Sequence, residues 1–283
     1  ASEAGETGME ADARNNLALL EWKAGRLEEA LEHFTCALQL WQKLGNRFGM
    51  SATRMNIGIA HENLGRYDEA RKYYLSALEM AEQIRYVQIQ SATLANLGNL
   101  CLNRAQWNES MDYNARSLEL ARAIGDRRSE TIALENLALG NMGLARYKEA
   151  ADAVREGRNL ARSINHRERL FSLDLVEIEL LLDMPQNSLA AARALRRRLE
   201  AAGKALKKAG YRAEQPRLLR LLVKAHILAN DLRNAAKAFA RALRECDRQK
   251  NLPEKERLMA MESEMMALKN STCSSDSKGK RRK

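Results

Sequence analysis

Residues 63–84 read NLGRYDEARKYYLSALEMAEQI, and the segment GRYDEA at 65–70 has close copies elsewhere in the chain. One copy is GRLEEA at 25–30, and another is ARYKEA at 145–150. The last residue of the segment recurs every 40 residues, at Ala30, Ala70, Ser110, Ala150 and Ala190. A recurrence at one fixed spacing indicates a repeat array, so this segment is a structural joint rather than a catalytic site.

Two further sets of residues share the same period. An asparagine recurs at one position of the first four repeats, and a leucine or methionine recurs at another. These residues are Asn16, Asn56, Asn96 and Asn136, and Leu40, Met80, Leu120 and Leu160. Because three independent registers share one spacing, we infer stacked repeats that each contribute part of a continuous core.

The composition of the 283-residue chain predicts an all-α fold. It has only 15 glycines and 3 prolines, and no segment alternates with the period of two that marks strands. In the second repeat, the apolar spacing predicts helices at 51–63 and 67–85. Gly65 is expected to end the first helix, because glycine accepts the left-handed backbone conformation, and the small Ala70 lets the two helices approach closely.

The second repeat carries a recognisable order of residues. Asn56-Ile57-Gly58 is followed by Ala60, the turn at 65–70, Tyr74 and Ala77-Leu78. This order resembles a tetratricopeptide repeat (TPR), and the resemblance extends over roughly residues 10–250. It implies a right-handed superhelical solenoid of about six helix-turn-helix repeats, whose first helices line a concave peptide-binding groove. The long repeat is similar to the Pins/LGN, kinesin light chain and MalT-like subgroup.

The pattern along the chain predicts four segments. Residues 1–10 form a disordered acidic N-terminus, and residues 11–250 form the solenoid with about six repeats. Residues 253–269 form an amphipathic helix that caps the stack. Residues 270–283 form a disordered basic tail, whose last six residues, KGKRRK, resemble a nuclear-import signal or an electrostatic tail.

The resemblance also indicates which residues face the groove. The four recurring asparagines are the first candidates, because an amide both donates to and accepts from a peptide main chain. The alternative is that they bond a neighbouring helix and serve the fold. Further candidates on the first helices are Arg14, Arg54, Asn15, Met55, Asn99, Asn103 and Glu135, and candidates farther along the chain are Arg217, Arg220 and Lys224.

The net charge of +10 is concentrated in one region. Residues 190–250 hold 17 Lys and Arg against 5 Asp and Glu, and the densest run is RALRRRLEAAGKALKKAGYR at 193–212. Three interpretations stay open: a solvated helix face, attraction of an acidic peptide or protein, and contact with nucleic acid or an anionic membrane. The lack of interleaved aromatic residues and of a nucleic-acid-binding motif makes nucleic acid the least favoured of these partners.

The sequence contains no pattern that indicates catalysis, a metal site or a cofactor. Its four histidines are isolated, and no glycine-rich phosphate loop or nucleophile motif occurs. No apolar run is long enough to span a bilayer, and the four cysteines are too far apart for a disulfide framework. We therefore expect a non-catalytic protein of the cytoplasm, with nuclear import through residues 278–283 as a second expectation.

Two functional hypotheses follow from the resemblance. The first is an adaptor that captures a peptide segment of a partner protein, as in polarity, spindle-orientation or cargo complexes. The second is a regulatory sensor module of a larger, MalT-like transcription regulator. A basic scaffold associated with nucleic acid is a further alternative.

Overall fold

A computed structural model describes residues 2–184, 188–211 and 214–279. Within these ranges the secondary structure is helical and contains no strand, which confirms the all-α prediction. The helices are α1 (Ser2–Lys23), α2 (Leu27–Lys43), α3 (Arg47–Asn63), α4 (Tyr67–Gln83), α5 (Val87–Asn103), α6 (Trp107–Ala123), α7 (Arg127–Gly143), α8 (Tyr147–Ser163), α9 (Arg167–Asp183), α10 (Leu189–Ala209), α11 (Gln215–Leu228), α12 (Leu232–Gln249) and α13 (Leu252–Gly279).

The helices form two compact units, whose boundary falls within α9. Unit 1 is Ala1–Val176, and unit 2 is Glu177–Lys283. In unit 1, each helix from α1 to α8 packs against its neighbours in the chain, which is the arrangement of a TPR solenoid. In unit 2, α11 packs against α10, α12 and α13.

The helices within the solenoid predicted over 11–250 are not all spaced alike. From α2 to α9 every helix has 17 residues and begins 20 residues after the previous one. The later helices leave this register, because α10 has 21 residues and α11 has 14. Helix α10 also begins more than 20 residues after α9, so the regular spacing ends at α9.

The same three-residue turn joins the helices of the regular array. Its middle residue has a left-handed backbone conformation, with φ of +72° at Gly65. The amide of Gly65 donates to the carbonyl of Glu62 at 2.9 Å, and that of Arg66 donates to the carbonyl of His61 at 2.9 Å. These bonds satisfy carbonyl groups that the end of α3 leaves unpaired, and they confirm the predicted role of Gly65.

A small residue on each first helix lets the side chain of the paired second helix approach closely. A Cβ atom on Gly58 would lie 2.5 Å from the Tyr74 ring, and one on Gly98 would lie 2.1 Å from the Asn114 amide. Tyr74 is fully buried, as is Ala70 at the start of the same helix. The joints of the repeats therefore fix the helix pairs, as the recurring alanine predicted.

Helices occupy both ends of the described ranges, and the disorder expected at residues 1–10 and 270–283 stays a prediction. Helix α1 already begins at Ser2, and α13 continues to Gly279 rather than ending near residue 269. Residues 2–10 include three glutamates, which favour helix, and extending an existing helix costs far less than starting one. Residues 280–283 lie outside the described residues, so the proposed import signal stays a prediction.

Candidate functional site

The first helices of unit 1 share one face. Helix α3 packs against α5, and α5 packs against α7, so their side chains lie beside one another. We call the surface formed by α1, α3, α5 and α7 the first-helix face. It carries every candidate residue that the sequence analysis placed in unit 1, but the structure gives these residues different environments.

Three of the four recurring asparagines are at least partly exposed to solvent. Asn16 is exposed, and Asn56 and Asn96 are half-buried. None of these three side chains makes a hydrogen bond to another residue of the described ranges. Because the two half-buried amides lie at equivalent positions of adjacent repeats, they form a pair of unused donors and acceptors on one face.

The fourth asparagine, Asn136, has a structural role. It is only 7% exposed, and its amide donates to the Ala95 carbonyl at 3.2 Å and to Asn114 Oδ1 at 2.9 Å. The neighbouring Glu135 is also buried and accepts hydrogen bonds from Arg169 and Ser172, each at 2.7 Å. For both residues the structure supports packing of the helices rather than contact with a ligand.

Asn99 and Asn103 bind a buried carboxylate. Each donates through Nδ2 to Glu62 Oε1 at 2.8 Å, and the Tyr74 hydroxyl donates to Glu62 Oε2 at 2.8 Å. Glu62 is 6% exposed, so these donors replace the water that the carboxylate would otherwise bind. The sequence analysis missed this cluster. Its signal was the four-residue spacing of Gly58 and Glu62, which places both residues on the face of α3 that contacts Tyr74.

The remaining candidates of unit 1 are half-buried residues of α1 and α3. Arg14 pairs with Glu10 one turn away at 3.4 Å, and Arg54 has Nη1 at 3.8 Å from the Met80 sulfur. Met55 is half-buried and packs against the cluster around Tyr74. Asn15 is half-buried, and its Oδ1 atom is shielded from solvent without a hydrogen bond to the described part of the chain.

A small apolar pocket adjoins Asn56. Its cavity of about 40 Å³ is lined by Leu19, Trp22, Phe34, Asn56 and Ile59. The volume suits a small apolar side chain, and the amide of Asn56 stands at its wall. The sequence carried a signal for this pocket, because Leu19 and Ile59 occupy equivalent positions one turn after the recurring asparagine.

The basic candidates of unit 2 are held in internal ion pairs. Arg217 Nη2 lies 2.9 Å from Glu179 Oε2, and Arg220 bridges Glu179 at 2.8 Å and Glu254 at 2.7 Å. Both arginines are less than one tenth exposed, and Lys224 pairs with Asp183. The charges of these three residues are therefore already paired with carboxylates of unit 2, of which Glu179 and Glu254 are buried and Asp183 is half-buried.

Charges from this cluster control the ionisation of its carboxylates. Burial alone would raise the pKa of Glu179, but the charges of Arg220 and Arg217 outweigh it and hold the pKa well below the usual range. Burial would also raise the pKa of Glu254, but the charges of Arg220 and Arg257 outweigh this effect and lower the pKa. Both carboxylates therefore stay ionised inside unit 2.

The reactive side chains offer no evident chemistry. Burial raises the pKa of the Cys101 and Cys246 thiols to about 11, which disfavours the nucleophilic thiolate. Burial also lowers the pKa of His61, whose ring stacks on Tyr73 at 5.4 Å between centroids. Among the residues whose structure is described, no group of three His, Cys, Asp or Glu side chains could hold a metal ion, and no helix is long and apolar enough for a membrane span.

Comparison with known proteins supports the repeat assignment. The tetratricopeptide repeat family model matches residues 9–83, so the resemblance to TPR proteins is confirmed over these residues, while the subgroup resemblance stays a prediction. Comparison of the sequence with curated proteins finds no match.

Solved structures share the fold at low identity. The apo form of RapI has a TM-score of 0.72 at 12% identity, covering 86% of this chain and 85% of RapI. Aspartyl phosphate phosphatase F from Bacillus subtilis has a TM-score of 0.70 at 12% identity, covering 84% of this chain. The Rap conjugation gene regulator of plasmid pLS20, in complex with the Phr* peptide, has a TM-score of 0.66 at 15% identity, covering 85% of this chain. The chain spans 60% of the phosphatase and 65% of the regulator.

Proposed function

We propose that this chain is a non-catalytic interaction scaffold that binds a peptide segment of a partner protein on the first-helix face of unit 1. The observation that carries the proposal is the pair of half-buried amides, Asn56 and Asn96, which make no hydrogen bond to the described residues. A half-buried polar side chain without a protein partner is suited to bind a ligand.

The proposed binding mode combines main-chain and side-chain recognition. The amides of Asn56 and Asn96 would each donate to a peptide carbonyl and accept from a peptide N–H. These main-chain bonds do not depend on the side chains of the peptide. The pocket beside Asn56 would receive one small apolar side chain and so fix the register of the peptide. Because the helices pack before the peptide arrives, little conformational entropy is lost by the protein on binding.

The structural comparisons show that a protein with this fold can bind a peptide. One of the similar proteins, the Rap conjugation gene regulator, was solved in complex with a peptide. Identities of this order show the shared fold alone, so peptide binding by the present chain rests on its own first-helix face. A role in polarity, spindle-orientation or cargo complexes, or as the sensor of a larger regulator, rests only on the subgroup resemblance.

The test uses peptides selected from a displayed random library against the full chain. A selected peptide, labelled with fluorescein, is titrated with wild type, Asn56→Ala, Asn96→Ala and the double variant. Each substitution should weaken binding by about five- to tenfold, because each removes the equivalent of one net hydrogen bond. Thermal unfolding of every variant should stay close to wild type, since these amides make no internal bond.

The matched control is Asn108→Ala, which removes an exposed amide from α6, a helix outside the first-helix face. This change should leave peptide affinity unchanged. If the library yields peptides whose affinity is the same for wild type and the double variant, the first-helix face is not the binding site and the proposal is wrong.

A further inference from the structure

Helices α10, α11 and α12 of unit 2 bound a groove. One cavity in it has a volume of about 800 Å³, and an adjoining one has about 450 Å³. The two share Glu200, Leu219, Leu222 and Arg241 in their linings, so they form one continuous depression. We call it the basic groove, for the charges described below.

Leucines form the floor of the basic groove. Leu218, Leu219 and Leu222 come from α11, and Leu199 and Leu206 come from the facing side of α10. Leu222 is half-buried and is the most open of the five. Gly203 lies in the wall, where a Cβ atom would make only ordinary contact with Leu218 at 3.5 Å. Because Gly203 has no side chain, there is room above the apolar floor at this position.

Cations line both walls of the groove. Lys204 and Lys207 lie on α10, and Lys237 and Arg241 lie on α12. All four are exposed, and none makes an ion pair or hydrogen bond with a residue in the described ranges. Arg217 and Arg220, by contrast, are held in ion pairs inside unit 2. Part of the unneutralised charge of this region thus lies around an apolar floor.

We propose that the basic groove docks an amphipathic helix of a partner protein, with its apolar stripe on the leucines and acidic residues beside its flanks. A helix packs against other helices with its axis about 8–10 Å away, and the depression between α10 and α12 offers it the surface of α11. Cations on both walls complement acidic residues on both sides of one helix. Among the described residues, the lining contains no Phe, Tyr or Trp side chain for stacking a base, which disfavours single-stranded nucleic acid.

This site is independent of the peptide site of unit 1. The two can be separated by experiment, because Asn56→Ala and Asn96→Ala should leave binding at the basic groove unchanged. Failure of either proposal does not affect the other.

The probes are two synthetic fluorescein-labelled helical peptides with the same leucine stripe. One carries glutamate at its polar positions and the other carries lysine. The full chain should bind the glutamate peptide at least about tenfold more tightly than the lysine peptide, and added salt should weaken the complex.

Two pairs of variants locate the site. Lys204→Glu with Lys207→Glu should weaken the glutamate peptide by about tenfold, whereas Arg193→Glu with Lys208→Glu, which changes net charge equally outside the groove lining, should weaken it by about twofold. Gly203→Phe should fill the groove and reduce binding, whereas Gly203→Ala should retain it. Equal losses from the two charge reversals would overturn the proposal. So would a single-stranded oligonucleotide that binds at the groove residues while the glutamate peptide does not.

Discussion

At the scale of single residues, the turns show how strictly the repeat geometry is imposed. The left-handed position is glycine at residues 25, 45, 65 and 125, but it is Arg85, Ala105, Ala145 and Asn165 in the other turns of the array. Ala145 has φ of +56°, a conformation that its Cβ atom disfavours. The surrounding helix packing therefore forces a conformation that the local sequence does not prefer.

Replacing Ala145 by glycine should stabilise the protein. The substitution relieves the clash of a left-handed alanine, and the net gain is about 0.5–1 kcal/mol after the entropy cost of glycine. Urea unfolding measures the effect. The control, Ala151→Gly on an exposed position of α8, should be destabilising by about 1 kcal/mol. A loss of stability in both variants would show that the turn carries no strain.

The recurring asparagines show what sequence equivalence can predict and what it cannot. Their spacing placed all four on first helices, and the structure agrees. The spacing could not show that the Asn136 side chain is buried. Its burial depends on Asn114, whose Oδ1 accepts a hydrogen bond from it. The other repeats have Phe34, Tyr74 and Val154 at the position of Asn114, and none of these offers an amide acceptor. The identity of a residue on another helix thus decides whether an amide is buried or open.

At the scale of helices, the regular array was predictable and its end was not. Helices were predicted at 51–63 and 67–85, and the structure has them at 47–63 and 67–83. The earlier start of α3 had a signal in Asn46, whose side chain accepts from the Gly49 amide at 2.9 Å and caps the helix. In unit 2, α11 buries Arg217 and Arg220 among apolar residues, and its periodicity did not show that these two arginines point inward.

The ion pairs around α11 make the stability of unit 2 sensitive to acid. Because the pKa values of Glu179 and Glu254 are lowered, both stay ionised in the folded state after the unfolded chain starts to bind protons. Their contribution is complete above the unfolded pKa of about 4.3 and is lost as pH falls below it through the lowered values. The free energy of unfolding should therefore fall between about pH 5 and pH 3.

The variant Glu254→Gln tests this origin of the acid sensitivity. It should be less stable than wild type near pH 7, because Arg220 loses a buried partner, and its stability should depend less on pH below 5. Chemical unfolding across pH gives both quantities. The control is Glu119→Gln, which removes an exposed carboxylate from α6. A wild-type pH dependence in Glu254→Gln would rule out the ion pairs as its source.

At the scale of the whole molecule, the two units present different chemistry. Unit 1 offers uncharged amides and a small apolar pocket, which suit the main chain of a peptide. Unit 2 keeps part of its charge in the interior and exposes another part around the basic groove. The net charge of +10 is a property of the composition, so it could not show which charges are buried in ion pairs and which are exposed.

The central claim is that the amides of Asn56 and Asn96 contact a bound peptide. Side-chain amide resonances of the ¹⁵N-labelled chain, assigned with the Asn→Ala variants and followed while a library-selected peptide is added, test it most directly. The signals of Asn56 and Asn96 should shift, and the buried Asn136 signal should stay in place. Shifts at Asn136 or elsewhere, with Asn56 and Asn96 unchanged throughout the titration, would contradict the claim.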